Sequence, residues 1–156
     1  MTWFDQCFEK VIGYEGGYTL DPKDPGGETN WGISKRAYPS IDIKNLTREG
    51  AKEIYKRDYW DRAQCDSLPP TLAFFLFDAA VNSGIGQAIR FLQRAVGVAD
   101  DGVLGPLTMS CVKRLDNESL CARFLGQRLD FMTRLSTWDY FGKGWARRIS
   151  DQLKGM

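Results

Sequence analysis

Three carboxylates near the start of the chain could do chemistry together, in the stretch GYEGGYTLDPKDPGGETNWGIS at residues 13–34. Glu15 precedes two glycines, and Asp21 and Asp24 each precede a proline. Hydrolysis of a glycosidic bond uses two carboxyl groups. One protonates the leaving oxygen, and the other steers a water molecule or stabilises an oxocarbenium-like transition state. The residue types in this stretch therefore indicate glycoside hydrolysis.

Glu15 is the candidate general acid. A carboxylic acid held against Phe and Trp side chains has a raised pKa because its charged form is disfavoured, so it can donate a proton near neutral pH. The alternative for Glu15 is an exposed residue at a helix end, and the alternative for Asp21 and Asp24 is the common role of Asp-Pro as a turn opener. The glycines after Glu15 favour catalysis, because they let a polysaccharide approach the backbone closely.

Residues around these carboxylates are candidates for binding the substrate. Thr29 and Asn30 can hold a water molecule or a sugar hydroxyl, and Trp31 can stack on a sugar face or pack in the core. The full candidate set is Gly16, Gly17, Tyr18, Asp21, Thr29, Asn30, Trp31 and Asn82. No pattern in the sequence implies a metal or another cofactor.

The chain contains no histidine. This absence excludes Ser-His-Asp and Cys-His catalysis in their usual forms, and also His-ligated zinc hydrolysis. The cysteines at positions 7, 65, 111 and 121 form no CxxC pair, so we expect buried thiols rather than a zinc site, although their even number permits disulfides. Acid–base chemistry must then come from carboxylates, Lys, Tyr or Cys.

Composition places the chain among globular proteins. Its 156 residues are enough for one domain with a core. Of these residues, 43% are hydrophobic and 26% are charged, as in soluble folded proteins. The net charge of +1 does not favour nucleic acid as a partner. The most apolar run, residues 71–81, is too short to span a bilayer, so no stable membrane insertion is expected. The N-terminus shows no Sec signal, and we expect synthesis in the cytoplasm.

Apolar periodicity predicts a mainly α fold. In residues 3–15 the hydrophobic side chains recur at i, i+3, i+4, i+7 and i+8, which predicts a helix that ends at Gly16-Gly17. Asp-Pro and Gly-Gly pairs predict a loop or at most a small β-hairpin near 18–33. Thr47 is the predicted cap of a helix that runs to about Arg62.

The second half of the chain predicts further helices. An almost wholly apolar segment after Pro69-Pro70 is expected to be the buried central helix, broken by Gly84 and Gly86. Shorter helices are predicted over 87–96 and from Pro106 at a first helical position. A longer helix is predicted from a cap at Asn117 to about Leu135.

Polar residues of this half carry two expectations. Asp78 and Asn82 are spaced i, i+4 on the apolar helix, so we expect them to be hydrogen-bonded and to brace the catalytic loop or to cap the next turn. Arg147, Arg148 and Lys154 indicate a solvated basic face or a contact with an anionic wall.

The segment EGGYTLDPKDPGGETNWGIS resembles the signature of glycoside hydrolase family 108, a lysozyme-like family of bacterial and phage muramidases. In that family the Glu of the E-G-G-Y segment is the catalytic acid, which corresponds to Glu15. Residues 82–108 resemble the family's predicted peptidoglycan-binding region. Its L-Q, D-G and G-x-x-T pattern falls on Leu92-Gln93, Asp101-Gly102, Gly105 and Thr108.

The resemblance covers roughly residues 8–150 and implies a lysozyme-like helical fold. It implies a glycoside hydrolase 108 catalytic region at 1–84 and a peptidoglycan-binding region at 85–156, packed into the same globular body. The wider group of phage-type lysozymes has a spacing pattern in which eight residues separate a Glu from an Asp. Five further residues separate that Asp from a Thr. Eight residues separate Glu15 from Asp24, which is therefore preferred to Asp21 as the second carboxylate. Four residues separate Asp24 from Thr29 and five separate it from Asn30, so the place of that Thr stays open.

The resemblance implies a lysozyme-type muramidase that cleaves the β-1,4 bond between N-acetylmuramic acid and N-acetylglucosamine, with peptidoglycan glycan strands as partner. We expect a monomer that acts on the wall in the periplasm or outside, by an export route that the sequence does not show. Two alternatives stay open. A lytic transglycosylase would use Glu15 alone and leave 1,6-anhydro ends, and a non-catalytic peptidoglycan-binding or secretion-associated protein would tolerate Glu15→Gln.

Overall fold

The computed structural model describes residues 1–12, 17–20, 22 and 27–156. It divides into two compact units, Met1–Asp58 and Tyr59–Met156. The described residues contain seven α-helices and one three-stranded antiparallel sheet. The predicted mainly α fold with a small β element is therefore confirmed.

The first unit contains two α-helices and the sheet. Helix α1 spans Trp3–Ile12 and buries the predicted apolar face, including Phe8 and Ile12. The strands are β1 (Tyr18–Leu20), β2 (Glu28–Asn30) and β3 (Ile33–Ser34), in the order β1-β2-β3. Helix α2 spans Arg48–Tyr55, and the Thr47 side chain accepts a hydrogen bond from the Gly50 amide, so the predicted cap is confirmed.

The helix predicted to reach Arg62 changes its geometry before that point. The α-helix ends at Tyr55, and residues Lys56–Asp61 continue as a π-helix, with a wider repeat. This segment runs across the boundary between the two units and contains the buried Trp60.

The second unit is all helical. A 3₁₀ turn spans Cys65–Ser67, and the α-helices are α3 (Pro70–Ser83), α4 (Ile85–Val96), α5 (Pro106–Arg114), α6 (Asn117–Thr133) and α7 (Trp138–Lys154). Helix α3 packs against α4 and α6 and buries side chains on most of its surface, as predicted for a central helix. In the ranges that the structure describes, no helix combines the length and apolar character that a membrane crossing requires.

Several predicted helix ends are confirmed and two were wrong. Gly84, at φ +89°, ends α3, and Pro106 is the first residue of α5. Gly86 does not break a helix, because it lies inside the first turn of α4. Asp116, not Asn117, caps α6, since its carboxylate accepts a hydrogen bond from the Ser119 amide.

A buried carboxylate connects three helices of this unit. Asp78 of α3 is 1% exposed and accepts hydrogen bonds from Arg128 of α6 at 2.6 Å and from Gln152 of α7 at 2.9 Å. Arg148 of α7 donates Nε to both of its oxygens. Burial alone would raise the pKa of Asp78, but the charges of Arg128 and Arg148 outweigh it and hold that pKa below its usual value.

This cluster corrects two expectations. Among the described residues, the partners of Asp78 lie on α6 and α7, so Asp78 braces the helical core rather than a catalytic loop. Arg148 is half-buried and paired with Asp78, so it is not part of a solvated basic face. Arg147 and Lys154 are exposed, as that expectation required.

The thiols follow the sequence-based expectation. The described cysteines are free thiols, and the side chains of Cys7, Cys65 and Cys121 are buried, whereas Cys111 is half-buried. Burial raises the pKa of Cys7 to about 12 and that of Cys121 to about 11. These two thiols therefore stay protonated at neutral pH and behave as small apolar side chains.

We predict that Asp78→Ala lowers the free energy of unfolding by about 3–5 kcal/mol, because it leaves the fully buried Arg128 without its counter-charge. Urea denaturation at pH 7 measures the difference. The matched control is Asp130→Ala, which removes an exposed carboxylate paired with Arg134 and should cost less than about 1 kcal/mol. Equal effects of the two substitutions would contradict the role given to the buried cluster.

The lowered pKa of Asp78 also predicts a dependence of stability on pH. A carboxyl group whose pKa is lower in the folded than in the unfolded state stabilises the fold above the unfolded pKa. That contribution is lost as pH falls through the folded pKa. From pH 7 to below about pH 4, wild type should lose more unfolding free energy than Asp78→Asn. Parallel decline of both proteins in acid urea titrations would contradict the prediction.

Candidate active site

The predicted site residues fall partly within the described ranges. Glu15, Gly16, Asp21 and Asp24 lie outside them, so their predicted roles are not tested. Gly17, Tyr18, Thr29, Asn30, Trp31 and Asn82 lie within them. The hairpin that contains most of these residues belongs to the first unit, and Asn82 is exposed in the last turn of α3 in the second unit.

The pairing of the first two strands fixes the ends of the Asp-rich segment. Strands β1 and β2 pair in antiparallel register, with Tyr18 opposite Asn30 and Leu20 opposite Glu28. Residues 21–27 connect the last pair. The two ends of the segment that contains Asp21 and Asp24 are therefore held side by side, since paired residues in such a ladder lie about 4.5–5.5 Å apart.

Side chains reinforce this pairing on both faces of the hairpin. The Tyr18 hydroxyl donates a hydrogen bond to Glu28 Oε2 at 2.5 Å, and this contact raises the pKa of Tyr18. On the other face the hydroxyls of Thr19 and Thr29 share a hydrogen bond at 2.6 Å. Cross-strand pairs of this kind stabilise an antiparallel ladder, so the register of β1 against β2 is well specified.

Asn30 connects the hairpin to the chain that precedes α2. Its side chain is buried, and its amide nitrogen lies within 3.0 to 3.3 Å of the carbonyl oxygens of Ile43, Lys44 and Leu46. The amide group thus holds an irregular segment that has few backbone partners of its own. This contact gives Asn30 a structural role, and its predicted contact with water or sugar stays a prediction.

The turn between β2 and β3 places Trp31. Trp31 and Gly32 both have positive φ, at +54° and +77°, and the Tyr55 hydroxyl donates a hydrogen bond to the Trp31 carbonyl at 3.0 Å. A Cβ at residue 32 would lie 2.5 Å from the Tyr55 hydroxyl oxygen, so only glycine fits there. The Trp31 side chain is half-buried, which leaves part of its ring accessible for stacking.

Sequence reasoning missed Thr19, Glu28 and Tyr55. Thr19 and Glu28 belong to strands, in which side chains alternate between the two faces of the sheet. This alternation puts Glu28 on the same face as Tyr18. It puts Thr19 opposite Thr29 on the other face. That alternation is the signal that could have identified them, but each strand has only three residues. Tyr55 is 24 residues from Trp31, and no local pattern indicates that contact.

The L-Q, D-G pattern of the second half has a structural explanation. Gln93 is 1% exposed, and its amide nitrogen donates to Asp101 Oδ1 and to the Val103 carbonyl, both at 2.9 Å. Its Oε1 accepts from the Gly102 amide at 2.9 Å. Gly102 has φ +78°, which favours glycine. These residues hold the loop between α4 and α5 in one conformation.

No metal site is found among the side chains with described positions. Within residues 1–12, 17–20, 22 and 27–156, no three Cys, Asp or Glu side chains converge in a way that could hold an ion.

Comparisons with known proteins add family information. Residues 8–84 match the family model described as Glycosyl hydrolase 108, and residues 87–150 match one described as Predicted Peptidoglycan domain. A solved structure described as that of Brucella abortus SagA is 34% identical, with a TM-score of 0.86 over 97% of this chain and 91% of that chain. No curated protein matches the chain.

The matched segments and the compact units divide the chain differently. The family matches meet close to the boundary expected at 84/85, whereas the compact units divide between Asp58 and Tyr59. Helix α3 lies in the first matched segment but packs with α4 and α6. The division at 84/85 therefore stays a prediction about sequence regions.

We predict that Asn30→Asp lowers the free energy of unfolding by roughly 2–4 kcal/mol, because it turns a donor to three carbonyl oxygens into a buried acceptor. Amide hydrogen exchange should also become faster in residues 28–34 and 43–46. The matched control is Asn117→Asp, an exposed change in the first turn of α6, where a negative charge is tolerated. Unchanged exchange in residues 43–46 would contradict the role of Asn30.

Proposed function

The chain belongs to glycoside hydrolase family 108, and from this premise we propose that it is an N-acetylmuramidase with Glu15 as its general acid. Family membership makes the chain a glycosidase, and the match in its second half supports peptidoglycan as the polymer on which it acts. The bond proposed for cleavage is the β-1,4 bond between N-acetylmuramic acid and N-acetylglucosamine. This substrate places the site of action at the cell wall, outside the cytoplasm.

The structural observation that supports the proposal is the paired β1–β2 hairpin, whose register is fixed by side-chain hydrogen bonds. Leu20 and Glu28 hold the two ends of segment 21–27 together, and the Tyr18–Glu28 and Thr19–Thr29 hydrogen bonds fix their register. Hydrolysis by carboxylates requires groups held to within about 0.5 Å of their working positions. The register of the strand pair fixes Leu20 and Glu28, between which Asp24 lies in the sequence, and this supports a role for the segment.

Glu15 and Asp24 divide the chemistry between them. Glu15 protonates the glycosidic oxygen as the bond to the leaving sugar breaks. Asp24 takes a proton from a water molecule on the opposite face of the sugar, so the product has inverted configuration. Inversion needs carboxyl groups about 6.5–9.5 Å apart, whereas a separation of about 5–5.5 Å would favour retention.

Three described residues that are close to Glu15 or Asp24 in the sequence are suited to substrate contact. Gly17 is exposed with φ +116°, and a Cβ there would meet none of the described residues within 4 Å, so among them the backbone lies open to a sugar ring. The half-buried Thr29 presents a hydroxyl, and the half-buried Trp31 presents part of an aromatic ring. Tyr18 and Asn30 also hold the hairpin, and their contact with the substrate stays part of the proposal.

The proposal predicts that Glu15→Gln lowers the rate of glycan cleavage by roughly 10²–10⁴-fold, because glutamine keeps the shape but cannot donate the proton. Purified peptidoglycan is digested with each protein, and the products are analysed by mass spectrometry for reducing N-acetylmuramic acid ends. The control is Glu9→Gln, which removes another carboxylate near the end of α1, paired there with Arg48, and should leave the rate unchanged.

The products also discriminate between the alternatives. If wild type produces 1,6-anhydro ends and the Asp24→Asn variant keeps full activity, the protein is a lytic transglycosylase. This result would overturn the role of Asp24. Binding of the wall by wild type without any release of fragments would overturn the enzymatic proposal.

A separate prediction concerns stereochemistry. If Asp24 activates water on the face opposite the leaving group, the new reducing ends form first as α anomers, since the bond broken is β. Proton NMR of a soluble glycan fragment, recorded before mutarotation, measures the anomer directly. Initial β anomers would show retention and require a nucleophilic role for the second carboxylate.

A further inference from the structure

The first three turns of α7 expose an aromatic patch, which we define as Trp138, Tyr140, Phe141 and Trp145. Tyr140 is 90% exposed and Phe141 is 57% exposed, although large aromatic side chains usually bury most of their surface. The other large hydrophobic side chains that are exposed among the described residues, such as Leu20 and Leu107, are Leu, Val or Met. A cluster of exposed rings on one helix is a common feature of binding surfaces.

The rings of the patch support one another. Phe141 and Trp145 are stacked, with centroids 5.7 Å apart and an angle of 29° between their planes. The centroids of Trp138 and Trp145 are 6.1 Å apart, and those of Tyr140 and Phe141 are 6.4 Å apart. Because these contacts already restrict the side chains, a ligand that stacks on them loses little further conformational entropy.

Two glycines shape the helix surface beside the rings. A Cβ at Gly142 would clash with the Trp138 ring, so this glycine allows the indole to lie against the backbone. A Cβ at Gly144 would meet none of the described residues within 4 Å, so packing among them does not explain a residue that costs about 1 kcal/mol relative to alanine inside a helix. The bare backbone at Gly144 leaves space in which a flat ligand can approach the helix.

The charges around the patch indicate the ligand's chemistry. The exposed residues between 138 and 148 are Asp139, Tyr140, Phe141, Lys143, Gly144 and Arg147. They comprise aromatic rings, two cations and one carboxylate, with no exposed aliphatic side chain. A surface that inserts into a membrane interface would also present aliphatic residues such as Leu beside its rings, whereas the exposed Leu153 of α7 lies about two turns beyond the patch. A carbohydrate with carboxylates matches this surface better, because its C–H faces stack on rings and its carboxylates attract Lys143 and Arg147.

We infer that this patch binds the glycan strands of peptidoglycan, with sugar rings stacked on Tyr140, Phe141 and Trp145 and wall carboxylates facing Lys143 and Arg147. The inference rests on the substrate class of the proposed function. It assigns binding to residues that take no part in the proposed chemistry. The patch lies within the segment that matches the peptidoglycan family model, but on α7 rather than in the Gln93 loop.

The test measures co-sedimentation of the full chain with insoluble purified peptidoglycan at low temperature. In the variant Tyr140→Ala/Phe141→Ala, the dissociation constant should rise roughly 5- to 150-fold, since two stacking contacts are lost. The matched control is Leu107→Ala, which removes an exposed apolar side chain on α5 and should leave binding unchanged.

A second variant separates loss of binding from loss of folding. Gly144→Leu fills open space and replaces glycine by a strong helix former, so stability to urea should rise while binding falls. Wild-type affinity of Tyr140→Ala/Phe141→Ala would overturn the inference. Binding of wild type to phosphatidylglycerol vesicles rather than to peptidoglycan, abolished by the same substitutions, would overturn it in favour of a lipid surface.

The binding and cleavage experiments fail independently. Wild-type protein that releases no muramic acid ends, yet binds peptidoglycan through Tyr140 and Phe141, would overturn the muramidase proposal alone. Protein that cleaves the wall and keeps full affinity without these rings would overturn the inference about the patch alone.

Discussion

The ion pairs of Asp78 are the interaction on which the second unit depends. A carboxylate that is 1% exposed on an otherwise apolar helix would be strongly destabilising alone, and so would the fully buried Arg128. Together with Arg148 and Gln152 they join α3, α6 and α7, with the single carboxylate bonded to two guanidinium groups. Removing one partner is therefore more damaging than the modest net gain of the pair would indicate. Because Arg148 and Gln152 belong to α7, the cluster also holds the helix that contains the aromatic patch.

Buried polar side chains also stabilise two irregular segments of the chain. Asn30 satisfies three carbonyl groups in the segment before α2, and Gln93 satisfies donors and acceptors in the loop before α5. In each case one buried amide side chain replaces the backbone partners that a strand or helix would provide. The polar residues of both family-like motifs are thus explained partly by loop structure. Their presence alone does not identify a substrate contact.

Local signals predicted most of the helices, and contacts distant in sequence could not be predicted. The apolar face of α1, the Thr47 cap and Pro106 at the start of α5 depend on neighbouring residues, and all three are confirmed. The partners of Asp78 are 50 to 74 residues away, so an i, i+4 pattern could only indicate that it is hydrogen-bonded. The Tyr18–Glu28 contact escaped prediction because Gly and Pro signals outweighed the alternation of two very short strands.

Because the chain has no histidine, acid–base chemistry near neutral pH depends on carboxyl groups whose pKa is set by burial, charges and hydrogen bonds. The hairpin contains one more carboxylate, Glu28, beside the segment with Asp21 and Asp24. Its Oε2 accepts the Tyr18 hydroxyl at 2.5 Å, and its backbone carbonyl accepts the Lys35 amide at 2.9 Å. Both contacts commit Glu28 to holding the sheet together. The proposed function assigns proton transfer to Glu15 and Asp24, whereas the pairing register places Tyr18 and Glu28 on one face and gives Glu28 a contact within the sheet.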